Sequence, residues 1–419
     1  MIRIGKVLGT AIGTTILLYL AALGHFYWTW QVPHERLPEA WADAGEQVSY
    51  ESGYEGLLAN LDGLSKAKLQ EWSAPSVSVA VAIDGKLVWA GTHGYADIER
   101  RVPATVHSQY RVGSISKSLT SMAMARLVET GTLDLDRPVH DYLPDYPRSN
   151  TPITSRLLAS HRAGIRHYRN SILRWPPNDF YLDRQFDTVS DALEVFEYDD
   201  LLFDPGTDFR YSSYGYNLLS AVLEAASGMD YLTLMRNEVF SPAGMKATQP
   251  DRKDASMPDR VSFYVSGQGK YGPAYPVNLS VKWASGGFLS TPSDLVRAGL
   301  TVLDEAYLSD ASRQLLFTPV ARAPGGKDPD GYALGWYSRV RDDLSPDEKG
   351  IRVISHSGGS VGGHSQLTIL ADLEIVIAAQ TNTSGGGPNG PKLKAFTDEL
   401  AVTILAYRNR ADKQQSASK

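Results

Sequence analysis

Apolar residues recur along this chain in two rhythms, and the rhythms mark its elements. Leu57, Leu58, Leu61 and Leu64 fall three and four residues apart, which predicts a helix over 54–72. Val77-Ser78-Val79-Ala80-Val81-Ala82-Ile83 alternates as a strand does, Asp84-Gly85 is a hairpin turn, and Leu87 to Gly91 returns. An apolar helix is predicted over 115–128. Residues 115–250 are mostly helical in pattern with Pro-rich breaks, among them an irregular aromatic and acidic stretch at 168–205. A helix over 218–226 stops at Gly228. Strands return at 332–338, 352–355, 366–370 and 374–380, and a closing helix runs over about 392–408. Strands at both ends with helices between them predict an α/β (α+β) domain. Its antiparallel sheet is flanked by helices and stands beside a helical subdomain, with a cleft between the two.

The first 30 residues form a different object. Arg3 and Lys6 precede an uncharged run over 7–24, followed by His25-Phe26-Tyr27-Trp28-Thr29-Trp30. A basic flank, an apolar run of membrane length and an aromatic belt predict one N-terminal transmembrane helix at 7–24. The competing reading is a signal peptide cleaved near Ala21-Ala22. With the positive flank inside, the catalytic body is expected outside the cytoplasm, on the periplasmic side of a bacterial inner membrane. Residues 31–50, with Pro33, Pro38 and many charges, read as a linker, 51–410 as the folded body and 411–419 as a tail.

Composition narrows the classes. The chain has 419 residues, 42% apolar and 21% charged, enough for a large buried core. A net charge of −6 with acids and bases interspersed argues against nucleic-acid binding. With no cysteine there is neither a disulfide nor a thiolate metal site. His161, His167 and His364 show no metal-ligand spacing and read as structural, so no metal or cofactor is expected.

The candidate chemistry centres on Ser114-x-x-Lys117. Three residues apart at a helix start, the two side chains share one face. A serine hydroxyl needs a base beside it to become a nucleophile, and backbone N–H groups at a helix start favour a developing oxyanion. The spacing also occurs at Ser65/Lys68 and Ser416/Lys419, but only Ser114 follows a glycine and opens an apolar helix. The bland alternative is a serine that merely caps that helix.

Two further blocks follow in order, Tyr211-Ser212-Ser213 and His356-Ser357-Gly358-Gly359. With all three the chain resembles the serine β-lactamase and penicillin-binding-protein superfamily. The segments Arg156 to Tyr168 and Lys282 to Thr291 are similar to those of the mitochondrial serine β-lactamase-like proteins and their bacterial relatives. The resemblance spans about 50–405. It implies Ser114 as nucleophile, Lys117 as the proton-holding partner, and Tyr211 as partner base and later acid. It also implies Ser213, His356, Gly358 and Gly359 as substrate-binding positions, with the N–H groups of Ser114 and Gly359 forming an oxyanion hole. Two departures stand out: Ser213 where β-lactamases usually carry Asn, and His356 where many carry Lys. Gly358-Gly359-Ser360-Val361-Gly362 also matches the α/β-hydrolase nucleophile elbow, but a turn and a strand are expected after Ser360, not the helix that motif needs.

The expected function is a membrane-anchored serine hydrolase that works through an acyl-enzyme on peptide or ester bonds. A true β-lactamase or D-alanyl-D-alanine carboxypeptidase is the alternative, and a catalytically inactive membrane-tethered binding protein is the alternative of another class. Its expected partners are a peptide, ester or lactam substrate and the membrane. Assembly into a homo-oligomer is left open.

Overall fold

The computed structural model describes residues 2–147, 151–171, 175–321, 331–385 and 390–417, and the side chains of 2–11, 412 and 414–417 are not among those described. The tail pair Ser416/Lys419 therefore lies outside the described residues.

The body is built on one antiparallel sheet. Its strands are β1 (Gly45–Ser49), β2 (Ser76–Ile83), β3 (Lys86–Asp97), β4 (Tyr337–Arg341), β5 (Ile351–Ser360), β6 (Gly363–Leu370) and β7 (Ile375–Thr381). Their order is β4-β5-β6-β7-β2-β3-β1, and the short strand Val102–Pro103 pairs with the end of β3. The two ends of the chain meet at β2–β7, where Ala80 faces Ala378. The helices are α1 (Ile2–Gln31), α2 (Glu55–Trp72), α3 (Ile115–Glu129), α4 (Ser213–Ser227), α5 (Trp283–Gly286), α6 (Pro292–Thr301) and α7 (Leu393–Ala417).

Large and small residues divide the two faces of the sheet. Val77, Val79, Val81, Ile375 and Ile377 pack with α2 and with Phe396, Leu400 and Ile404 of α7. The alternate positions Ala80, Ala82 and Ala378 belong to the core that contains α3, α4 and α6. Small residues let α6 approach closely: a Cβ on Gly299 would come within 2.6 Å of Val376 Cγ1. The alternation that predicts β2 thus separates two buried faces rather than a wet face from a dry one.

Three expectations change. Residues 31–50 read as a linker, yet Gly45–Ser49 pairs with Trp89–His93 as an edge strand, and Glu35–Arg36 pairs with Lys270–Tyr271. The strand expected at 332–338 begins only at Tyr337, because Tyr332, Leu334 and Trp336 turn inward to the core instead. The expected span at 7–24 is helical, but among the described residues no helix is long and apolar enough to cross a membrane. The side chains of 7–11 are not described, and residues 12–24 fall short of the roughly 20 that a bilayer needs. The far end of α1 docks on the body, where Phe26 is buried against the edges of Trp175 and Tyr181 with Tyr275 beside it.

Candidate active site

Gly113 sets the position of the nucleophile. It has φ +50, a left-handed conformation natural to glycine, and a Cβ there would sit 2.7 Å from both N and O of Gly359. The turn therefore presses against β5 and delivers Ser114 to the start of α3, partly exposed. Two bonds hold the segment in place: Arg111 Nε to Asp251 at 2.7 Å, and Ser365 Oγ to Val112 O at 2.6 Å. The Ser114 side chain makes no capping hydrogen bond, so the bland reading of a helix cap fails.

Its Oγ lies 3.1 Å from Lys117 Nζ instead. Lys117 is wholly buried and also reaches Ser213 Oγ at 3.1 Å and Ser285 O at 2.7 Å. No carboxylate pairs with it among the described residues. Burial, aided by the charge of Lys282, drives its pKa well below the ordinary lysine value. Such a group holds a free amine at neutral pH, as a general base must.

Tyr211 sits beside this pair, its ring centroid 4.8 Å from Lys117 Nζ. Burial pushes its phenol up from 10, against a smaller opposing effect of hydrogen bonding to Ser114. The hydroxyl is therefore protonated at neutral pH, a donor rather than a phenolate base. Two neutral histidines pin the turn that carries it: Ser212 N–H donates to His161 Nδ1 at 3.2 Å and Ser213 N–H to His167 Nδ1 at 3.1 Å. Burial lowers both imidazoles, His167 to about 3, which keeps these acceptor nitrogens free. Both histidines are structural, and His167 also lines the cleft. Ser213 faces Lys117 rather than standing free for substrate.

The third block occupies the second half of β5. Strand β4 pairs only with Ile351–Ser355, so from His356 to Ser360 β5 has β6 on one side and no β4 partner on the other. Gly359 is exposed there, and a Cβ on it would meet nothing within 4 Å. Gly358 is the opposite case, since its Cβ would lie 2.0 Å from Val112 O. His356 is buried, with Nδ1 2.7 Å from Ser357 O. Burial, then the Lys117 charge, pulls its pKa down to about 3, so it carries no charge at neutral pH. Ser360 ends β5 and is followed by a turn and β6, so the helix required by the hydrolase elbow is absent.

Sequence reasoning overlooked Lys282. It is buried on the wall of the same cleft, about 490 Å³ in volume, which Ser114, Tyr211, Ser213 and Gly359 also line. Its Nζ donates to Phe180 O at 3.0 Å and lies 4.7 Å and 5.0 Å from the ring centroids of Phe180 and Tyr168. The only signal in the sequence was a lone lysine leading into Ala284-Ser285-Gly286-Gly287, a run small enough for close packing. A larger cavity of about 730 Å³, lined by Arg236, Lys246 and Arg252 among others, holds none of these groups. Volume does not locate the chemistry here. Among the described residues no cluster suits a metal ion.

A buried amine against a serine hydroxyl, a neutral phenol beside them and an unpaired strand segment along the cleft define a serine hydrolase. The chain belongs to the Beta-lactamase family, whose model matches residues 61–401. It is 33% identical over 382 residues to the mitochondrial serine beta-lactamase-like protein LACTB of Homo sapiens, covering 72% of this chain and 70% of that one. It is 27% identical to Esterase EstB of Burkholderia gladioli, covering 82% of this chain and 95% of the esterase. The fold is also that of the octameric penicillin-binding protein homologue from Pyrococcus abyssi. That match has a TM-score of 0.67 and 24% identity, and covers 84% of this chain and 77% of the other.

Proposed function

We propose that this serine hydrolase acts through an acyl-enzyme on Ser114 and cleaves peptide or ester bonds. The observation that carries the reading is the Lys117 Nζ–Ser114 Oγ contact at 3.1 Å, made by a lysine stripped of its charge by burial. Lys117 takes the hydroxyl proton as Oγ attacks the carbonyl carbon. The oxyanion is held by the N–H groups of Ser114 and Gly359. Tyr211, protonated and adjacent, passes a proton to the leaving amine or alcohol as the carbon–heteroatom bond breaks, and is reprotonated from Lys117. Water then repeats the sequence on the ester, returning Ser114 to its hydroxyl form.

The unpaired half of β5 suits an extended peptide, which can add to it as a further strand. An esterase among the relatives supports ester cleavage. The neutral His356 leaves the third block without the charge that a Lys would offer the carboxylate of a β-lactam, which ranks β-lactams below peptides and esters. A fluorophosphonate probe with peptide mapping should label Ser114 and spare Ser360. Labelling that persists in Ser114→Ala refutes the assignment.

We further propose that α1 tethers the enzyme to a membrane, with the body outside the cytoplasm. The support is a row of exposed Ile12, Ile16, Leu17, Leu18 and Leu20 leading to the docked Phe26. The full chain should stay with membranes through an alkaline wash; release into the soluble fraction refutes the tether.

A further inference from the structure

We propose that Lys282 is a positioning residue for acylation: by holding the shared positive charge of the cleft, it keeps Lys117 a free amine aimed at Ser114. The inference rests on the acyl-enzyme reading above and assigns a role to a residue outside the three motif blocks.

The geometry of Lys117 fits an amine and not an ammonium. A neutral amine has two N–H groups and one lone pair, and Nζ has three partners. Ser285 O accepts only, so it takes one N–H at 2.7 Å. Ser213 Oγ takes the second at 3.1 Å, which leaves the lone pair for the Ser114 hydroxyl at 3.1 Å. An ammonium would donate to Ser114 as well, and a hydroxyl that accepts from Lys117 is not losing its proton to it.

Other neighbours pull the other way. The Tyr211 and Tyr216 ring centroids, 4.8 Å and 5.7 Å from Nζ, favour a cation there. His161, His167 and His356 stand around Lys117 but are neutral, and no carboxylate reaches it among the described residues. Something must oppose the rings, and Lys282 is the remaining basic group that acts on Lys117.

Lys282 is built to hold the charge. Its Nζ donates to the Phe180 carbonyl and faces two aromatic rings closer than 5.1 Å, with no hydroxyl that needs its lone pair. The charged groups that act on it are Arg111, which opposes its charge, and Asp179, which favours it. Both are engaged elsewhere, Arg111 with Asp251 at 2.7 Å and Asp179 with Arg166 at 2.8 Å. Burial brings Lys282 down to about 7, still the more basic of the two lysines. The two titrate as a coupled pair, and the first proton to enter settles on Lys282 and repels a second from Lys117. The link between them is short, because Lys282 immediately precedes α5, whose Ser285 carbonyl holds Lys117.

The test is the pH dependence of kcat/KM for a neutral ester, whose acid limb reports the base of the free enzyme. In Lys282→Met the repulsion is gone, Lys117 protonates more readily and the limb should move up by about one pH unit, roughly a tenfold loss of rate on the acid side. Lys282→Arg keeps a permanent charge, so its limb should stay at or below the wild-type position. An unmoved limb in Lys282→Met, or equal upward shifts in both variants, overturns the role. So does a change confined to KM for carboxylate-bearing substrates, which would make Lys282 a substrate anchor. Thermal unfolding of both variants identifies any loss of fold, and Lys282→Arg carries the test if Lys282→Met is unstable: an upward shift of its limb then refutes the role. Fluorophosphonate labelling is mapped in the same samples. A label missing from Ser114 in the wild type refutes the acyl-enzyme reading and this role with it, whereas an unmoved limb with the label intact refutes only the role of Lys282.

Discussion

Gly113 and Gly359 touch across the cleft, yet substituting them should give opposite results. In Gly113→Ala the new Cβ lies 2.7 Å from Gly359 N and O and 2.9 Å from its carbonyl carbon, all backbone atoms that cannot swing aside. The residue must also hold φ +50, which costs a non-glycine residue roughly 1–2 kcal/mol. Overpacking against fixed atoms adds about 1–3 kcal/mol. The expected loss of stability is therefore about 2–5 kcal/mol, relieved in part by moving Ser114 away from β5. Any such shift separates the two N–H groups of the oxyanion hole, so fluorophosphonate labelling should slow at least tenfold. Gly359→Ala meets nothing within 4 Å, and its backbone is not left-handed. Its stability should stay within about 0.5 kcal/mol of wild type, as for an ordinary surface change. Its methyl group enters the cleft, so peptide turnover should fall while the protein stays folded. Chemical denaturation and labelling rates on both variants make the comparison. A Gly113→Ala protein as stable and as reactive as wild type would refute the argument that this close approach positions the nucleophile.

Two further outcomes follow from the site. Tyr211→Phe keeps the ring and removes the proton donor, so turnover should fall by about 10²–10⁴ while stability changes little; activity within a few-fold of wild type would leave Tyr211 a packing residue only. Acid should destabilise the fold through its buried histidines. His161, His167 and His356 bind protons near 6.5 when unfolded, but the latter two only near 3 when folded and His161 also well below 6.5. The unfolded chain therefore binds more protons below pH 6.5, and stability falls with acid by up to about 1.4 kcal/mol per pH unit for each histidine. Denaturation curves that do not change between pH 6.5 and 4.5 would show that these rings are not held neutral.

The sequence announced those elements whose burial has a period. The helix expected at 115–128 is Ile115–Glu129, because a long apolar run after Gly113 leaves no other structure for it. The same holds for β2 and β7, where every position is buried. Strand β1 was missed because its residues are almost all exposed, and an edge strand without a core face looks like a linker. The chemical residues divide in the same way. Ser114, Lys117 and Tyr211 were legible because their types and spacing are unusual together. Lys282 was not, since a single lysine in a sequence carries no sign of whether it lies in water or in a cavity. The protonation state of Tyr211 was hidden too: it depends on how completely the phenol is enclosed, which only the packed structure shows.

The free half of β5 also has a consequence for handedness. A chain that pairs there must run antiparallel or parallel to His356–Ser360, and its backbone presents alternate side chains to opposite sides of the strand. One side of such a guest would face the floor of the cleft near Ser114, and the other would face solvent. Inverting the configuration at one residue exchanges its hydrogen and its side chain without moving the paired backbone. The slot thus converts a hydrogen-bond pattern that is blind to sequence into a filter for stereochemistry. Mirror-image substrates would be told apart by which of them puts bulk against the wall, before any side-chain pocket is engaged.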